Sequence, residues 1–267
     1  MSECSCNESK ISKINDYLCE VTGSEKLTDR MTWLTVKSPE LAKKARPGHC
    51  VMVFPTLGVD PMLGRPFAVA DADIEKGEIS VCYMVVGRGT KLLDRLQKGD
   101  KVRVRGLFGT TLPVSEKKIH LASGGVGVAI FMLYNKMYRE NIAGFYLGIP
   151  GKGYERCAGK IAELAPNAKI FTDDGTFGDG DSMFKVLPEK VGGNEEVWTC
   201  GPLGFFKAAR RHFSAQPEKL YFSLENRMAC GYGGCMGCVV ETSNGLKRVC
   251  VDQSLFRSDE VNLDETH

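Results

Sequence analysis

Short runs of β-branched and apolar residues, separated by turn signals, fill the first part of the chain. Turns are indicated at Ser38-Pro39, Arg46-Pro47-Gly48 and Lys76-Gly77. Short strands at this spacing predict an antiparallel barrel or sandwich. One helical pattern interrupts them at Thr90–Leu96, where the leucines share one face. The predicted strands include Met31–Val36, His49–Phe54 and Ile79–Val86.

From Lys117 the pattern changes to strands that alternate with helices, which predicts a parallel sheet covered by helices. The predicted strands are Ile119–Ala122, Gly144–Ile149, Ala168–Thr172 and Val197–Cys200, and the predicted helices are Val126–Arg139 and Leu203–Phe213. Beyond about Tyr221 the chain is rich in glycine and cysteine. The predicted fold class is multidomain β plus α/β, with an antiparallel β-barrel over 11–115, a parallel-sheet α/β domain over 116–218 and a small cysteine-rich domain over 219–267.

The charge balance narrows the possible partners. The chain has 267 residues, with 35 Lys and Arg against 33 Asp and Glu, which gives a formal net charge of +2. Nucleic-acid binding usually requires a basic patch, so no nucleic-acid partner is expected. The longest purely apolar stretch, Val128–Leu133, is far shorter than a membrane span, so no membrane partner is expected.

The compartment determines how the cysteines are interpreted. Met1–Lys10 is polar and unlike a secretory signal, so a cytoplasmic location is expected. In a reducing compartment, the 11 cysteines are expected to be thiols or metal ligands rather than disulfides.

Four of the cysteines follow the pattern C-x4-C-x2-C and then one distant cysteine. They are Cys230, Cys235, Cys238 and Cys250. This is the plant-type spacing for a [2Fe-2S] cluster, which needs four thiolates. Most residues between the first three are glycine, which lets the backbone curl around a cluster. The alternative is a structural zinc site, but zinc ribbons usually use two C-x2-C pairs, and here there is one.

The other seven cysteines share no spacing. Cys4 and Cys6 lie in a polar segment and are expected to be free thiols. Three more are interpreted as small apolar core residues: Cys19, Cys50 and Cys82. The remaining two are Cys157 and Cys200.

Two loops are candidates for binding a dinucleotide. Ser123–Gly127 follows a predicted strand and opens a helix, where free N–H groups favour a diphosphate. Glycine turns of this kind are also common without any ligand, and the full G-x-G-x-x-G pattern is absent. Cys200-Gly201-Pro202 ends another predicted strand, so both loops should lie at one edge of the sheet, where ligands bind. The alternative for Cys200 is a buried thiol at a strand end.

Four ordered motifs and the cysteine pattern together resemble a known family. Arg65-Pro66-Phe67-Ala68 resembles the flavin motif R-P-F/Y/L-S of the ferredoxin–NADP reductase superfamily. Gly87-Arg88-Gly89-Thr90 resembles its second phosphate-binding motif, and Gly124–Gly127 and Cys200-Gly201-Pro202 resemble its pyridine-nucleotide motifs. With the cysteine pattern, nearly the whole chain is similar to the electron-transfer subunits of B-type dihydroorotate dehydrogenase.

The resemblance implies three bound groups: FAD in the barrel, NAD(H) at the parallel sheet and a [2Fe-2S] cluster in the C-terminal domain. Arg65 would neutralise the FAD diphosphate. The other residues that would bind FAD are Pro66, Phe67, Ala68, Cys82, Tyr83, Met84, Gly89 and Thr90. Those that would bind the pyridine nucleotide are Gly124, Gly125, Gly127, Cys200, Gly201 and Pro202.

The resemblance also implies an oxidoreductase subunit of pyrimidine biosynthesis. Electrons from an FMN-containing catalytic partner, with which a heterotetramer is expected, would pass through the cluster and FAD to NAD. No side chain is expected to act as a catalytic acid, base or nucleophile, because the cofactors supply the chemistry.

Three segments depart from the family pattern. Ala68 replaces a usual hydroxyl, and Gly148–Lys152 replaces an Arg-Ser-Lys type sequence. Val251–Phe256 stands where these subunits commonly read D-G-P-V-F, which is compatible with a different partner. Thr172–Gly178 does match the family's T-D-D-G-S-x-G, and the Asp173-Asp174 pair would repel a 2′-phosphate, which favours NAD.

Two rival interpretations remain open. One is a related FAD and [2Fe-2S] reductase subunit that serves a hydrogenase or a bifurcating transhydrogenase. The other is a zinc-stabilised adaptor without enzymatic activity.

Overall fold

A computed structural model describes residues 14–180 and 182–263. Cys4 and Cys6 lie outside the described residues. The strands are β1 (Asn15–Thr28), β2 (Met31–Lys37), β3 (Cys50–Phe54), β4 (Arg65–Asp73), β5 (Glu78–Met84), β6 (Lys101–Phe108), β7 (Lys118–Gly124), β8 (Ile142–Ile149), β9 (Ala168–Thr172), β10 (Glu195–Cys200), β11 (Leu220–Phe222), β12 (Val239–Thr242), β13 (Gly245–Arg248) and β14 (Phe256–Arg257). The α-helices are α1 (Pro39–Lys44), α2 (Arg88–Leu93), α3 (Ala129–Met137), α4 (Glu155–Leu164) and α5 (Leu203–His212).

The first six strands close into an antiparallel barrel in the order β1-β2-β5-β4-β3-β6. Alternation of side chains fills its interior. On β6, for example, Val102 and Val104 are buried in the barrel core, while Arg103 between them is more exposed. The predicted antiparallel barrel is confirmed.

The second unit is a six-stranded sheet in the order β14-β11-β10-β7-β8-β9. Strands β7 to β11 run parallel, and only β14 is antiparallel. The predicted parallel sheet is confirmed. Strand β7 lies between β8 and β10, so the loops that follow β7 and β10 meet at a topological switch point, where ligands bind in open α/β sheets.

Helix α3 lies between the barrel and the sheet and is buried from Ala129 to Asn135. One apolar core joins the two units, with Met31 and Trp33 from the barrel and Cys157 from α4. Lys136 adds an ion pair to Asp71 of β4, at 2.7 Å. The units therefore share a packed interface rather than a flexible joint.

Several element boundaries differ from the sequence prediction. The helix predicted at Val126–Arg139 begins as a 3₁₀ turn at 125–128, and α3 follows. Gly125 has a φ of +55° in this turn, which only glycine adopts easily. Helix α2 starts two residues before Thr90, because the Thr90 hydroxyl accepts the backbone N–H groups of the preceding turn. Helices α1 and α4 were not predicted.

The C-terminal segment leaves the sheet after β11 and returns to it at β14. These two strands are neighbours, with Phe222 paired to Phe256. Between them lie the cysteine loop and the β12–β13 hairpin. Within residues 14–180 and 182–263, no helix is both long and apolar enough to span a membrane.

Candidate functional site

At one end of the barrel, the neighbouring strands β4 and β5 separate; this unpaired stretch, Arg65–Ala68 opposite Cys82–Met84, is called the seam below. The two strands pair only from Val69 and Val81 onward, so the start of β4 and the end of β5 lie opposite each other without ladder bonds. The rings of Phe67 and Tyr83 stack across this seam, with centroids 4.9 Å apart. The seam thus brings together two separate groups of predicted flavin residues, Arg65–Ala68 and Cys82–Met84.

Side chains along the seam face two directions, because residues alternate along a strand. Phe67 and Tyr83 belong to the barrel core, whereas Ala68 and Met84 pack toward the sheet. Cys82 packs into the apolar core between barrel and sheet. Burial raises the pKa of the Cys82 thiol, so it remains protonated.

Arg65 and Gly89 lie in direct contact at one end of the seam. A Cβ at Gly89 would lie 2.2 Å from the Arg65 guanidinium carbon. Thr90 shapes the adjoining turn, because its hydroxyl accepts the N–H groups of Val86 and Gly87 at 2.9 and 3.0 Å. The two predicted diphosphate motifs therefore form one cationic corner that has room for backbone contacts, which fits an FAD diphosphate.

A cavity of about 600 Å³ lies at the switch point of the sheet. All six residues predicted to bind a pyridine nucleotide line it. The two loops touch, since a Cβ at Gly127 would lie 2.5 Å from the Cys200 carbonyl oxygen. The Cys200 thiol is buried, and burial followed by the charge of Glu225 raises its pKa.

Asp173 and Asp174, the two acidic residues that follow β9, have different surroundings. Asp173 lines the large cavity. Asp174 instead binds its own neighbourhood, accepting the Thr176 hydroxyl at 2.6 Å and the Lys152 N–H at 2.9 Å. These bonds, the Thr176 hydroxyl first, lower the pKa of Asp174. Of the two carboxylates, Asp173 is thus the one placed to face a bound nucleotide.

A smaller cavity of about 90 Å³ lies between the flavin motif and the cysteine segment. Pro66, Phe67 and Ala68 line one side, and Cys250 lines another. Glu225 lines both this cavity and the large one. Glu225 was not predicted from the sequence, because its only signal is its position five residues before Cys230.

The four predicted cluster cysteines come together as two pairs. Cys238 and Cys250 are buried with their sulfur atoms 3.2 Å apart. Cys230 is within hydrogen-bonding reach of Cys235, which is exposed. Among the described residues, no three His, Cys, Asp or Glu side chains converge as one metal ion would require. A [2Fe-2S] cluster takes two thiolates on each of its two irons, and the two cysteine pairs match that need.

The loop backbone favours a thiolate at Cys230. Burial opposes ionisation there, but the N–H groups of Tyr232, Gly234 and Cys235 and the Cys235 thiol together lower the pKa of Cys230 to about 7. For Cys250, burial and the adjacent Cys238 thiol raise the pKa to about 12. Gly231 and Gly233 have φ values of +77° and +81°, which allow the backbone to curl in this way.

Comparisons of the sequence with a family model and with known proteins point to the same family. Residues 225–262 match the family model for the iron-sulfur cluster binding domain of dihydroorotate dehydrogenase B. A dihydroorotate dehydrogenase B (NAD(+)) electron transfer subunit homolog from Aquifex aeolicus is 34% identical over 250 residues, covering 91% of this chain and 97% of the relative. The dihydroorotate dehydrogenase B (NAD(+)) electron transfer subunit from Clostridium acetobutylicum is 30% identical over 225 residues, covering 83% of this chain and 88% of the relative.

Solved structures agree on the fold. The structure of an NADH-dependent reduced ferredoxin-NADP oxidoreductase, described for flavin-based electron bifurcation, has a TM-score of 0.81 and 27% identity, covering 94% of this chain and 91% of that chain. Phthalate dioxygenase reductase shares the fold, with a TM-score of 0.62 and 15% identity; the match covers 91% of this chain and 95% of that chain.

The barrel, the parallel sheet and the cysteine loop thus define an electron-transfer oxidoreductase of the ferredoxin–NADP reductase type. Within that class, the chain belongs to the family of dihydroorotate dehydrogenase B electron transfer subunits, as the resemblance of its motifs had indicated.

Proposed function

We propose that the chain carries electrons between a dihydroorotate-oxidising partner and NAD, through a [2Fe-2S] cluster and FAD. One observation carries the proposal. The smaller cavity has the flavin motif on one side and the cluster residue Cys250 on another, and it meets the nucleotide cavity at Glu225. Three groups of motif residues, each suited to a different redox group, are therefore contiguous.

The residues present fit these groups. Arg65, against Gly89, would hold the FAD diphosphate, and the seam between β4 and β5 would hold the flavin ring. The loops after β7 and β10 would hold the nucleotide, and the four loop cysteines would hold the cluster. When bound, FAD exchanges a hydride with nicotinamide and single electrons with the cluster. The chain's own task is to position these groups and exclude water.

An electron transfer subunit acts with a catalytic partner. We assign that partner as an FMN-containing subunit within a heterotetramer. Support comes from exposed apolar side chains around the cysteine loop, where Tyr232 is 51% and Met236 52% exposed. The β3–β4 loop, which lines a surface pocket with Arg227 and Met228 just before the cysteine loop, exposes Val59 at 86% and Met62 at 72%. Clustered apolar exposure of this kind marks protein interfaces.

Reconstitution tests the proposal. The purified chain should contain FAD and two irons per chain if it holds one [2Fe-2S] cluster. It should oxidise NADH with ferricyanide as acceptor. Mixed with an FMN-containing dihydroorotate-oxidising subunit, it should reduce NAD in the presence of dihydroorotate. A colourless protein that binds zinc would contradict the proposal.

One structural comparison favours a second candidate. The NADH-dependent reduced ferredoxin-NADP oxidoreductase is 27% identical over nearly the whole chain. A chain with that role would use the same redox groups but a different partner. Anaerobic pull-down from the native cells separates the two, because it recovers either an FMN-containing dihydroorotate-oxidising subunit or another oxidoreductase subunit on which dihydroorotate has no effect.

A further inference from the structure

Two hydroxyl side chains stand between the smaller cavity, beside the flavin motif, and an open groove on the surface. This outer groove has a volume of about 710 Å³ and lies beside the first residues of β7 and β10. Among the residues that the structure describes, Thr110 and Ser254 are the two that line both the outer groove and the smaller cavity. Charged and polar side chains of the outer groove include Glu116, Lys117, Asn194, Glu196 and Asp252.

The Thr110 hydroxyl is buried without a protein partner. Its oxygen makes no hydrogen bond within the part of the chain that the structure describes. The Ser254 hydroxyl instead donates to the Thr111 carbonyl oxygen at 3.2 Å, which joins the segment after Cys250 to the strand end that carries Thr110. A buried hydroxyl without a partner costs free energy. The Thr110 hydroxyl is thus available to a group that fills the cavity.

Other polar side chains around the smaller cavity are already engaged. The Asn226 amide is bound to backbone groups at both ends, and the Ser223 hydroxyl is hydrogen-bonded to the Cys200 thiol. The flavin motif residues that line the cavity, Pro66–Ala68, carry no side-chain proton donor. On the side of the outer groove, the cavity therefore has one uncommitted hydroxyl next to the flavin motif.

Electron transfer from a cluster creates a need for a proton. Electrons that arrive from iron bring no proton, and FAD that accepts two of them also takes up one proton. Hydride transfer to NAD then removes both electrons and this proton together. The proton must come from solvent, and with NAD in the nucleotide cavity the outer groove is the side that stays open. A hydroxyl both donates and accepts, so it can pass a proton on without a change of its own charge.

We propose that the proton taken up by FAD enters from the outer groove through the Thr110 hydroxyl. The Ser254 hydroxyl, bound to the Thr111 carbonyl, holds the wall of the passage in place. This inference rests on the proposed function, because it assumes that FAD lies beside the seam and receives single electrons from the cluster.

Two ways of reducing the bound FAD separate the proton from the electrons. NADH transfers a hydride, which already contains the proton, so no proton is taken from solvent. Reduced methyl viologen transfers electrons alone, so each FAD must take one proton from solvent. Anaerobic stopped-flow mixing of the holoprotein with either donor follows flavin bleaching. A pH indicator in weakly buffered solution follows proton uptake.

Thr110→Val removes the hydroxyl and keeps the shape of the side chain. With reduced methyl viologen, it should slow proton uptake by about 10²-fold or more, as expected for the loss of a positioned proton donor. With NADH, flavin bleaching should keep its wild-type rate. Thr110→Ser should restore proton uptake. Thr111→Val, at the adjacent exposed position that lines neither the cavity nor the groove, should behave as the wild type.

The outcomes separate this inference from the proposed function. Proton uptake at the wild-type rate in Thr110→Val overturns the inference, and so does equal slowing with both donors, which would indicate a general disturbance of the flavin site. Slow proton uptake in Glu225→Gln but not in Thr110→Val would place the route on the nucleotide side and also overturn it. If the wild type lacks FAD, or if neither donor bleaches it, the proposed function itself fails. Should Thr110→Val not fold, Thr110→Ala against Thr110→Ser decides the question.

Discussion

The guanidinium group of Arg65 occupies the space that a side chain at Gly89 would need, with 2.2 Å between its central carbon and a Cβ built there. The two residues belong to motifs on β4 and α2, and neither motif alone reveals the contact. The cationic corner of the barrel therefore depends on the absence of a side chain at one position.

Gly89→Ala should weaken FAD binding. The added methyl group must displace the Arg65 guanidinium, the end of a flexible side chain, so the cost falls on the contact to the diphosphate; a hydrogen bond to a charged group is worth about 1.5–3 kcal/mol, or about tenfold or more in affinity. The Kd for FAD, measured by fluorescence of the free flavin, checks this.

Two further variants control the Gly89 experiment. Gly159→Ala on α4, where no atom lies within 4 Å of the new Cβ, should keep full FAD content. In an Arg65→Ala background, Gly89→Ala should have little further effect, because the displaced group is already gone. Full additivity of the two losses would mean that they act independently.

Gly127→Ala should impair nucleotide binding while FAD and iron remain. Its Cβ would lie 2.5 Å from the carbonyl oxygen of Cys200, a backbone atom that moves only if the loop after β10 moves. We expect the Kd for NAD to rise about tenfold, in line with the cost of overpacking. Gly193→Ala, with no neighbouring atom within 4 Å, is the matched control. Normal NAD binding by Gly127→Ala would show that the two loops do not cooperate.

Cys235→Ser should abolish the cluster and leave FAD in place. Cys235 is exposed, and it does not line the cavity beside the flavin motif. Iron content and the visible absorption of the cluster should disappear, and electron flow to the partner should stop. Cys19→Ala, in the barrel core, should keep its iron. Loss of FAD from Cys235→Ser would mean that the two sites are structurally coupled.

Val59→Asp should weaken the complex with the partner subunit. Val59 is 86% exposed on the loop beside the cysteine segment, so its substitution should leave NADH oxidation by ferricyanide intact. Placing a charge in an apolar interface should cost about 1–3 kcal/mol of association, or about tenfold or more in Kd. Ile74→Asp, 65% exposed at the turn between β4 and β5, serves as control. Equal effects of the two substitutions would exclude the β3–β4 loop as the docking surface.

The ion pair between Asp16 and Arg105 should make barrel stability depend on pH. Its N–O distances are 2.6 and 2.9 Å, and the hydrogen bond from Arg105 lowers the pKa of Asp16. A lowered native pKa means that the stabilisation is complete above the ordinary carboxyl range and is lost as pH falls through the native pKa.

Urea denaturation of the wild type and Asp16→Asn tests this ion pair. Because the pair is partly exposed, we expect the free energies of unfolding of the two proteins to differ by less than about 1 kcal/mol near pH 7. The difference should shrink below about pH 4. A difference that grows on acidification would assign the stabilisation to another group.

Sequence patterns are most informative where the chemistry demands particular residue types at fixed spacings. In the structure the four cysteines of the pattern lie in two pairs, and the two loops that carry Gly127 and Cys200 touch. Strands β7 to β10 of the sheet were predictable from the change to strands that alternate with helices, whereas β11 and β14 were not predicted. Helix α4 was not predicted, because only one of its buried residues, Ile161, is large and apolar, while Cys157 and Ala158 beside it are small.

Relationships between distant segments could not be predicted. The seam between β4 and β5 depends on where ladder pairing stops, and no single residue marks that point. Glu225 carries no motif of its own, and its position between two cavities arises only from the packing of the cysteine segment against the barrel. The pairing of Phe222 with Phe256 is likewise a tertiary event between short strands with little periodicity.

That last pairing has a consequence for how this chain can be engineered. Strands β11 and β14 are hydrogen-bonded neighbours. The cysteine segment therefore leaves the sheet and returns to it at almost the same place. A short turn joining Phe222 to Phe256 would excise the segment without breaking the parallel strands. Conversely, the segment between β11 and β14 can be inserted between the equivalent strands of a related reductase, to which it would add a cluster site.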